Sequence, residues 1–222
     1  VGNPQSGASY VFADDAVNHR VTLTISGTSG GVGAVWTRKG SGDWGDGANW
    51  NSGSVPDGSG VVPLFGLAVT NSATVAIGAA RTVGGLLFNN AAYGYTLAGS
   101  GGLTLATNGA TPLVSVLAGK HMLDTALSGT DGLEVSTVSD AALILGPSTV
   151  GSTGVSLSQG TVELQGNAAV NGPTVLGAST LLRALSTTNA AIGSLSGASS
   201  SAMALAGTAP KLTVNQGTAG TF

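Results

Sequence analysis

The sequence predicts an all-β chain folded as a parallel β-helix, or β-solenoid, and three observations indicate this fold class. Short apolar pairs at positions i and i+2 recur about every ten residues, separated by Gly, Ser, Asn and Asp. The segments GGLTLAT, DGLEVST and GTVELQG resemble one another, as the repeats of a solenoid do. The 222 residues include 37 glycines, and each exposed glycine would destabilise an α-helix by roughly 1 kcal/mol.

The composition argues against several classes of protein. Charged residues make up 8% of the chain, the formal net charge is -3, and the 7 lysines and arginines are scattered. A nucleic-acid partner is therefore not expected. Hydrophobic residues make up 42%, too many for a disordered chain. Cysteine is absent, which fits export through an oxidising periplasm. No apolar stretch of about 20 residues occurs, so direct membrane insertion is not predicted.

Residues 1–33 are interpreted as an N-terminal strand pair with its linker. Residues 10–13 and 20–26 have strand-like composition, and in the second segment apolar and polar residues alternate. The Asx-rich segment between them predicts a β-hairpin. The glycine-rich GTSGGVG that follows is interpreted as a flexible link.

Residues 34–71 are interpreted as a tryptophan-rich capping region. The only tryptophans of the chain, Trp36, Trp44 and Trp50, lie among too many Gly and Asp residues for a helix. Each indole has a large apolar area, so we expect the three to pack against the end of the coil. In the alternative interpretation, Trp44 and Trp50, or Tyr93 and Tyr95, are exposed and stack on sugar rings.

Residues 72–222 are interpreted as the coils of the solenoid. Their short strands would also fit a sandwich or a barrel, but no long amphipathic strand occurs after residue 72. With about three strands in each coil, this part of the chain predicts on the order of six coils. Their Leu and Val pairs are expected to stack into one continuous core.

Several segments are similar to a known family. YVFADDAVNHRVTLTISG resembles the closing strand pair of a repeat block, and GDWGDGANWNSGSVPDGSG resembles the Trp-rich opening of the next block. ALSGTDGLEVSTVSDAALILGP and GSLSGASSSAMALAGTAPKLTVNQGTAGTF resemble coils of large secreted passengers. The family is that of the autotransporter-associated β-strand repeat proteins of bacteria.

This resemblance implies a right-handed β-helix, secretion and a place at the cell surface, and it implies no catalytic residues. Members usually end in a membrane β-barrel or a sorting tail, whereas this chain ends at Thr221 and Phe222. It also has no initiator Met and no signal peptide. We therefore expect it to be part of a longer precursor.

The sequence contains no recognisable metal or cofactor motif. The two histidines, His19 and His121, are far apart, and His121 is expected at a coil corner. Asp43, Asp46 and Asp57 lie in a Gly-rich region, but their spacing does not match a calcium loop. They are interpreted as turn residues, and no cofactor is predicted.

One acidic cluster deserves comparison with enzymes that cleave polysaccharides. Asp124, Asp131, Glu134 and Asp140 lie close together in sequence and near Lys120. Cleavage of a glycosidic bond requires paired acids that face each other across a cleft. We interpret the four acids as solvated corner residues, and a polysaccharide lyase or hydrolase remains the alternative.

The sequence thus predicts a non-enzymatic extracellular structural protein, a rigid solenoid that forms a bacterial surface stalk or a fibre. We expect head-to-tail self-association, in which residues 10–26 of one copy complete the coil end of the next copy. An adhesin or glycan-binding module at a host or cell surface is the alternative. The candidate self-association residues are the apolar ones of the strand pair: Tyr10, Phe12, Val21, Leu23 and Ile25.

Overall fold

The computed structural model describes residues 9–15, 20–26, 32–129, 132–147, 149–151, 154–185 and 189–215. Within these ranges the chain is almost entirely β, with one short 3-10 helix at Gly47–Asn49 and no α-helix. The predicted fold class is confirmed, because the strands stack in parallel as a β-solenoid.

The N-terminal hairpin forms a sheet of its own. β1 (Ser9–Asp15) and β2 (Arg20–Ser26) pair antiparallel, with Ser9 opposite Ser26 and Asp15 opposite Arg20. The prediction of a hairpin is confirmed. Among the described residues these two strands pair with no strand of the solenoid.

The first face of the solenoid is an eight-stranded sheet, here called sheet A, to which each turn contributes one parallel strand. Its strands, from the N-terminal end, are β3 (Val32–Val35), β5 (Val62–Phe65), β8 (Gly85–Asn89), β10 (Leu113–Ala118), β12 (Leu133–Thr137), β15 (Val155–Gln159), β18 (Thr174–Leu176) and β21 (Leu195–Gly197).

The other two faces, B and C, belong to one 13-stranded sheet, because two long strands continue around the corner between them. These are β9 (Tyr95–Leu105) and β11 (Lys120–Gly129). Face B also contains β4 (Gly42–Asp43), β6 (Ala73–Ala76), β13 (Ala142–Leu145), β16 (Thr161–Gln165), β19 (Leu181–Leu185) and β22 (Ala202–Ala206). Face C also contains β7 (Arg81–Val83), β14 (Thr149–Val150), β17 (Ala169–Val170), β20 (Asn189–Ile192) and β23 (Lys211–Val214).

Glycines allow β9 to turn this corner. Gly99 and Gly102 have φ values of 143° and 75°, which side chains rarely allow. A Cβ on Gly101 would lie 2.3 Å from the carbonyl oxygen of Ala79 on the preceding turn. The sequence predicted only short strands, but β9 continues through the bend, where its pairing with β11 shifts register between Thr125 and Leu127.

The core is built from columns of aliphatic side chains that run along the solenoid axis. In one column Leu123, Leu145, Leu164, Ala184 and Leu205 are neighbours on successive turns. Across the described solenoid, paired residues on successive turns are 19 to 33 positions apart in the sequence. From Ala73 onward the described residues form six complete turns and two strands of a seventh, in agreement with the predicted number of coils.

Candidate functional site

The three tryptophans form an aromatic cap at the N-terminal end of the core. Trp36 and Trp44 are fully buried and Trp50 is 3% exposed. The ring of Trp50 lies edge-on to both others, with centroid distances of 5.2 Å to Trp36 and 5.1 Å to Trp44. Edge-to-face pairs of this kind contribute about 0.5–1.5 kcal/mol beyond the area they bury. The expectation that the indoles pack against the coil end is confirmed.

Hydrogen bonds hold two of these indoles in place. Trp44 Nε1 donates to the carbonyl oxygen of Pro56 at 3.0 Å, and Trp50 Nε1 donates to the carbonyl oxygen of Trp44 at 2.8 Å. Because both rings are also buried, neither Trp44 nor Trp50 has an open ring face on which a sugar can stack. Trp36 Nε1 is buried and has no hydrogen-bond partner among the described residues.

The same segment closes the edge of the first strand. Trp36 and Trp50 form an antiparallel bridge. On either side of it, Asn51 N–H donates to the Val35 oxygen and Thr37 N–H donates to the Asn49 oxygen, both at 2.9 Å. An open strand edge would invite pairing with another chain, and residues 49–51 cover this edge from Val35 to Thr37.

Below the cap, aromatic rings continue through the next three turns. Phe65 contacts all three indoles and stacks on Phe88 at 5.1 Å. Phe88 in turn stacks on the imidazole of His121 at 4.8 Å, and Tyr95 lies beside both Phe65 and His121. From β13 onward the corresponding positions are aliphatic.

His121, which the sequence placed at a coil corner, is the second residue of β11 and belongs to the core, where it is 1% exposed. Its Nδ1 accepts a hydrogen bond from Tyr95 N–H at 3.0 Å, and its Nε2 lies 2.9 Å from the Ala118 oxygen. This pattern requires the neutral tautomer with the proton on Nε2. Burial lowers the pKa of His121 below its usual value, although the bond to Ala118 opposes this shift. His19 lies outside the described residues.

The hydroxyl of Tyr95 has no access to solvent. It donates to the carbonyl oxygen of Gly66 at 2.8 Å, an oxygen that also accepts from Asn90 Nδ2 at 3.1 Å. Burial raises the pKa of Tyr95 to about 12. Tyr93, in contrast, is 40% exposed and is the only exposed aromatic residue among those whose side chains the structure describes.

The aspartates of the capping region bond to nearby backbone. Asp43 Oδ1 accepts from Gly45 N–H at 2.6 Å, and Asp46 Oδ1 caps the 3-10 helix by accepting from Ala48 N–H at 3.0 Å. Asp57 accepts from Thr82 N–H and pairs with Arg81 at 3.1 Å. These contacts agree with the interpretation of Asp46 and Asp57 as turn residues, whereas Asp43 is the last residue of β4.

The acidic cluster of the sequence does not converge on one cleft. Asp124 lies on β11 in face B, whereas Glu134 lies on β12 in sheet A. Asp140 lies in the turn before β13, with a left-handed φ of 65°, and Asp131 lies outside the described residues. Within the described part of the chain, no three His, Cys, Asp or Glu residues group in a way that could hold a metal ion.

Sequence reasoning missed Glu163, the one buried carboxylate among the residues whose side chains the structure describes. Glu163 is 2% exposed, and its Oε1 accepts from Lys120 Nζ at 3.3 Å and from Arg183 Nη1 at 3.1 Å. Arg183 is its direct neighbour on the next turn, and Lys120 reaches it across β13. Because the three residues are far apart in sequence, only the register of the turns brings them together. The cluster joins three strands of face B.

The last described turn exposes apolar side chains, unlike the capped N-terminal end. Met203 and Leu205 continue the core columns, yet they are 46% and 54% exposed. Leu212 and Val214 on β23 are partly buried. A groove of about 460 Å³ lies beside Met203, between Leu176 and Leu195. Among the described residues, β22 and β23 each have a strand partner on one side only.

Backbone pairing places the predicted self-association residues within the hairpin. Tyr10 lies opposite Ile25, Phe12 opposite Leu23, and Val21 opposite Asp14. Self-association through these residues stays a prediction.

No protein-family model matches the chain, and no curated protein or solved structure matches it either. Within the described residues, no helix is long and apolar enough to cross a bilayer. The resemblance to autotransporter-associated repeats therefore stays a prediction from the sequence.

Proposed function

We propose that this chain is a non-enzymatic structural element of the bacterial cell surface, a rigid β-solenoid whose copies join head to tail. The observation that carries the proposal is the difference between the two ends of the described solenoid. At one end the buried aromatic cap covers the core and residues 49–51 pair with residues 35–37, whereas the last described turn exposes Met203 and Leu205.

The physical reason is the cost of leaving such a turn in water. Its apolar side chains continue the core, and an exposed apolar patch of this kind favours contact with another surface. In the proposed contact, the hairpin of one copy (residues 10–26) covers the last turn of the next copy. Because the two contacting surfaces differ, the contact is heterologous, and repeating it gives an open filament rather than a closed dimer.

The stacked core supports a mechanical role. Every turn after the cap pairs with its neighbours through two or three parallel ladders, and interiors of this kind are closely packed and resist deformation. Extracellular placement is supported by the absence of cysteine and by the resemblance to secreted repeat proteins.

The test is a sedimentation and electron-microscopy series on the intact chain and on a variant that combines Met203→Lys with Leu205→Lys. We expect the intact chain to form filaments as its concentration rises and the variant to remain monomeric, since charges at the contact must be desolvated. The matched control is Val175→Lys, an exposed apolar residue on sheet A away from the terminal turn. An intact chain that stays monomeric at high concentration contradicts the proposal.

Glycan binding is the second candidate, and the exposure of Tyr93 is the observation that favours it. An exposed tyrosine ring offers an apolar face with a polar tip. A glycan array comparing the intact chain with Tyr93→Ala tests it. Binding that is lost in the variant supports an adhesin, and an array without hits removes this candidate.

A further inference from the structure

The outer face of sheet A carries a compact group of leucines near the capped end. Leu64 on β5, Leu87 on β8, and Leu113 and Leu117 on β10 form this group, here called the leucine patch. Leu64 and Leu87 are direct neighbours, and Leu87 lies opposite Ser115, between the two leucines of β10. Leu113 and Leu117 are 39% and 45% exposed.

The outer face is polar on the next two strands. The outward positions of β12 and β15 are occupied by Glu134, Ser136, Ser156 and Ser158. The leucine patch is therefore confined to three neighbouring strands and is not a property of the repeat. Contiguous exposed apolar patches on a protein surface commonly mark a contact site, so a local apolar area on the outside indicates a local cover.

The N-terminal hairpin has the matching surface. Directly opposite residues of an antiparallel pair lie on the same face, so the pairs Tyr10–Ile25 and Phe12–Leu23 place four apolar residues on one face of the hairpin. A two-stranded hairpin alone is at best marginally stable in water. The hairpin pairs with no other described strand, so its apolar face needs a surface to pack on.

The connection between hairpin and solenoid is short. Residues 27–31 join Ser26 to Val32, and the six Cα–Cα steps span at most roughly 20 Å. β3 is the end strand of sheet A and the leucine patch begins on the adjacent strand. With strands about 4.8 Å apart and sheets packing about 10 Å apart, the hairpin can lie over β5 and β8 within that reach.

We propose that the hairpin packs, through the face that contains Phe12 and Leu23, on the leucine patch of its own chain. Asp14, opposite Val21, is on the same face as Phe12 and Leu23 but lies at the turn end of the hairpin, so the proposed contact leaves it at the hydrated rim and requires no buried charge. The tether keeps the effective concentration of the hairpin near the patch on the order of millimolar. Docking within one chain does not depend on filament formation.

The contact also has a consequence for assembly. The hairpin has one apolar face, and head-to-tail association as proposed above requires that same face for the next copy. Docking on the leucine patch then competes with the terminal turn of a neighbour, and it keeps a dilute chain monomeric. This consequence rests on the proposed function.

Because the chain contains no cysteine, engineered cysteine pairs test the docking directly. The test pair combines Phe12→Cys with Leu87→Cys, treated at high dilution with a short bifunctional maleimide. The matched control combines Phe12→Cys with Val175→Cys. Val175 is exposed on β18 of the same sheet, four strands from β8 and therefore about 19 Å away. We expect at least about tenfold more intramolecular product for the test pair. Equal yields, or products of dimer mass only, overturn the proposal.

A second measurement uses hydrogen exchange in a variant that combines Leu87→Ser with Leu113→Ser, both on the outer surface. We expect the amides of the hairpin to lose protection while the solenoid melts as before; Val175→Ser is the control. Unchanged protection of the hairpin overturns the docking. A released hairpin should also promote filaments. A variant in which the hairpin is released but the chain stays monomeric contradicts head-to-tail association and leaves the docking intact.

Discussion

The buried imidazole of His121 makes the stability of the aromatic core depend on pH in a predictable direction. Nδ1 accepts from Tyr95 N–H, and Nε2 donates to the Ala118 oxygen. A second proton on Nδ1 would face the Tyr95 N–H, and the resulting charge would be buried against Phe88. Native protein therefore binds this proton less readily than unfolded protein does, which is why the pKa of His121 is lowered.

The sign follows from proton counting. The unfolded histidine titrates near pH 6.5 and the folded one lower. Between these two values the unfolded state binds more protons, so the free energy of unfolding rises with pH. The stabilising effect of the neutral imidazole is complete above about pH 6.5 and is lost as the pH falls toward the folded value. One group can contribute a slope of at most about 1.4 kcal/mol per pH unit.

The assay is urea denaturation followed by circular dichroism between pH 7.5 and pH 5, on the intact chain and on His121→Phe. The phenylalanine keeps a ring beside Phe88 but cannot titrate, so its slope in this window should be flatter. At pH 7.5 the variant should be less stable by about 1–3 kcal/mol, because Tyr95 N–H loses its acceptor. His19→Asn removes the other histidine and serves as the control. An intact chain with no slope, or a His121→Phe variant with an unchanged slope, refutes the reasoning.

Three further outcomes follow from the packing. Fluorescence of the three buried tryptophans should be blue-shifted and poorly quenched by acrylamide, and quenching like that of free indole would contradict the cap. Gly119→Ala should lower the melting temperature, since φ is +83° and the new Cβ would lie 2.0 Å from the Asn90 oxygen. Gly78→Ala, at a site with nothing within 4 Å, is its control. Equal changes in melting temperature would argue against the left-handed backbone and close contact at Gly119. Glu163→Gln should lower the free energy of unfolding by about 1 kcal/mol; the loss stays this small because the partly exposed Lys120 and Arg183 can turn to solvent. The control Glu134→Gln, on the outer face of sheet A, should change the free energy of unfolding little. Equal losses in the two variants would contradict the buried cluster.

The fold was predictable because its main signal is local. Alternation of apolar residues, as in Leu143 and Leu145, identifies a strand whose two faces differ, and glycine spacing identifies the turns. The packing of Trp36, Trp44 and Trp50 was also predictable, because a short loop has few other ways to bury three indoles.

The register between turns was not predictable in the same way. Turns vary in length, so the sequence did not show that Glu163 lies beside Arg183 and within reach of Lys120. For the same reason the separation of Asp124 and Glu134 onto different faces required the structure. His121 looked like a corner residue because it follows Gly119 and Lys120, yet the strand begins at Lys120 and directs the imidazole inward.

The most direct test of the structural role is electron microscopy of the purified chain over a range of concentrations. Eight strands of sheet A spaced about 4.8 Å apart give each copy an axial length of about 40 Å. The proposal predicts thin, unbranched filaments whose length grows with concentration and whose axial repeat is near that value. Isolated compact particles at every concentration would contradict it.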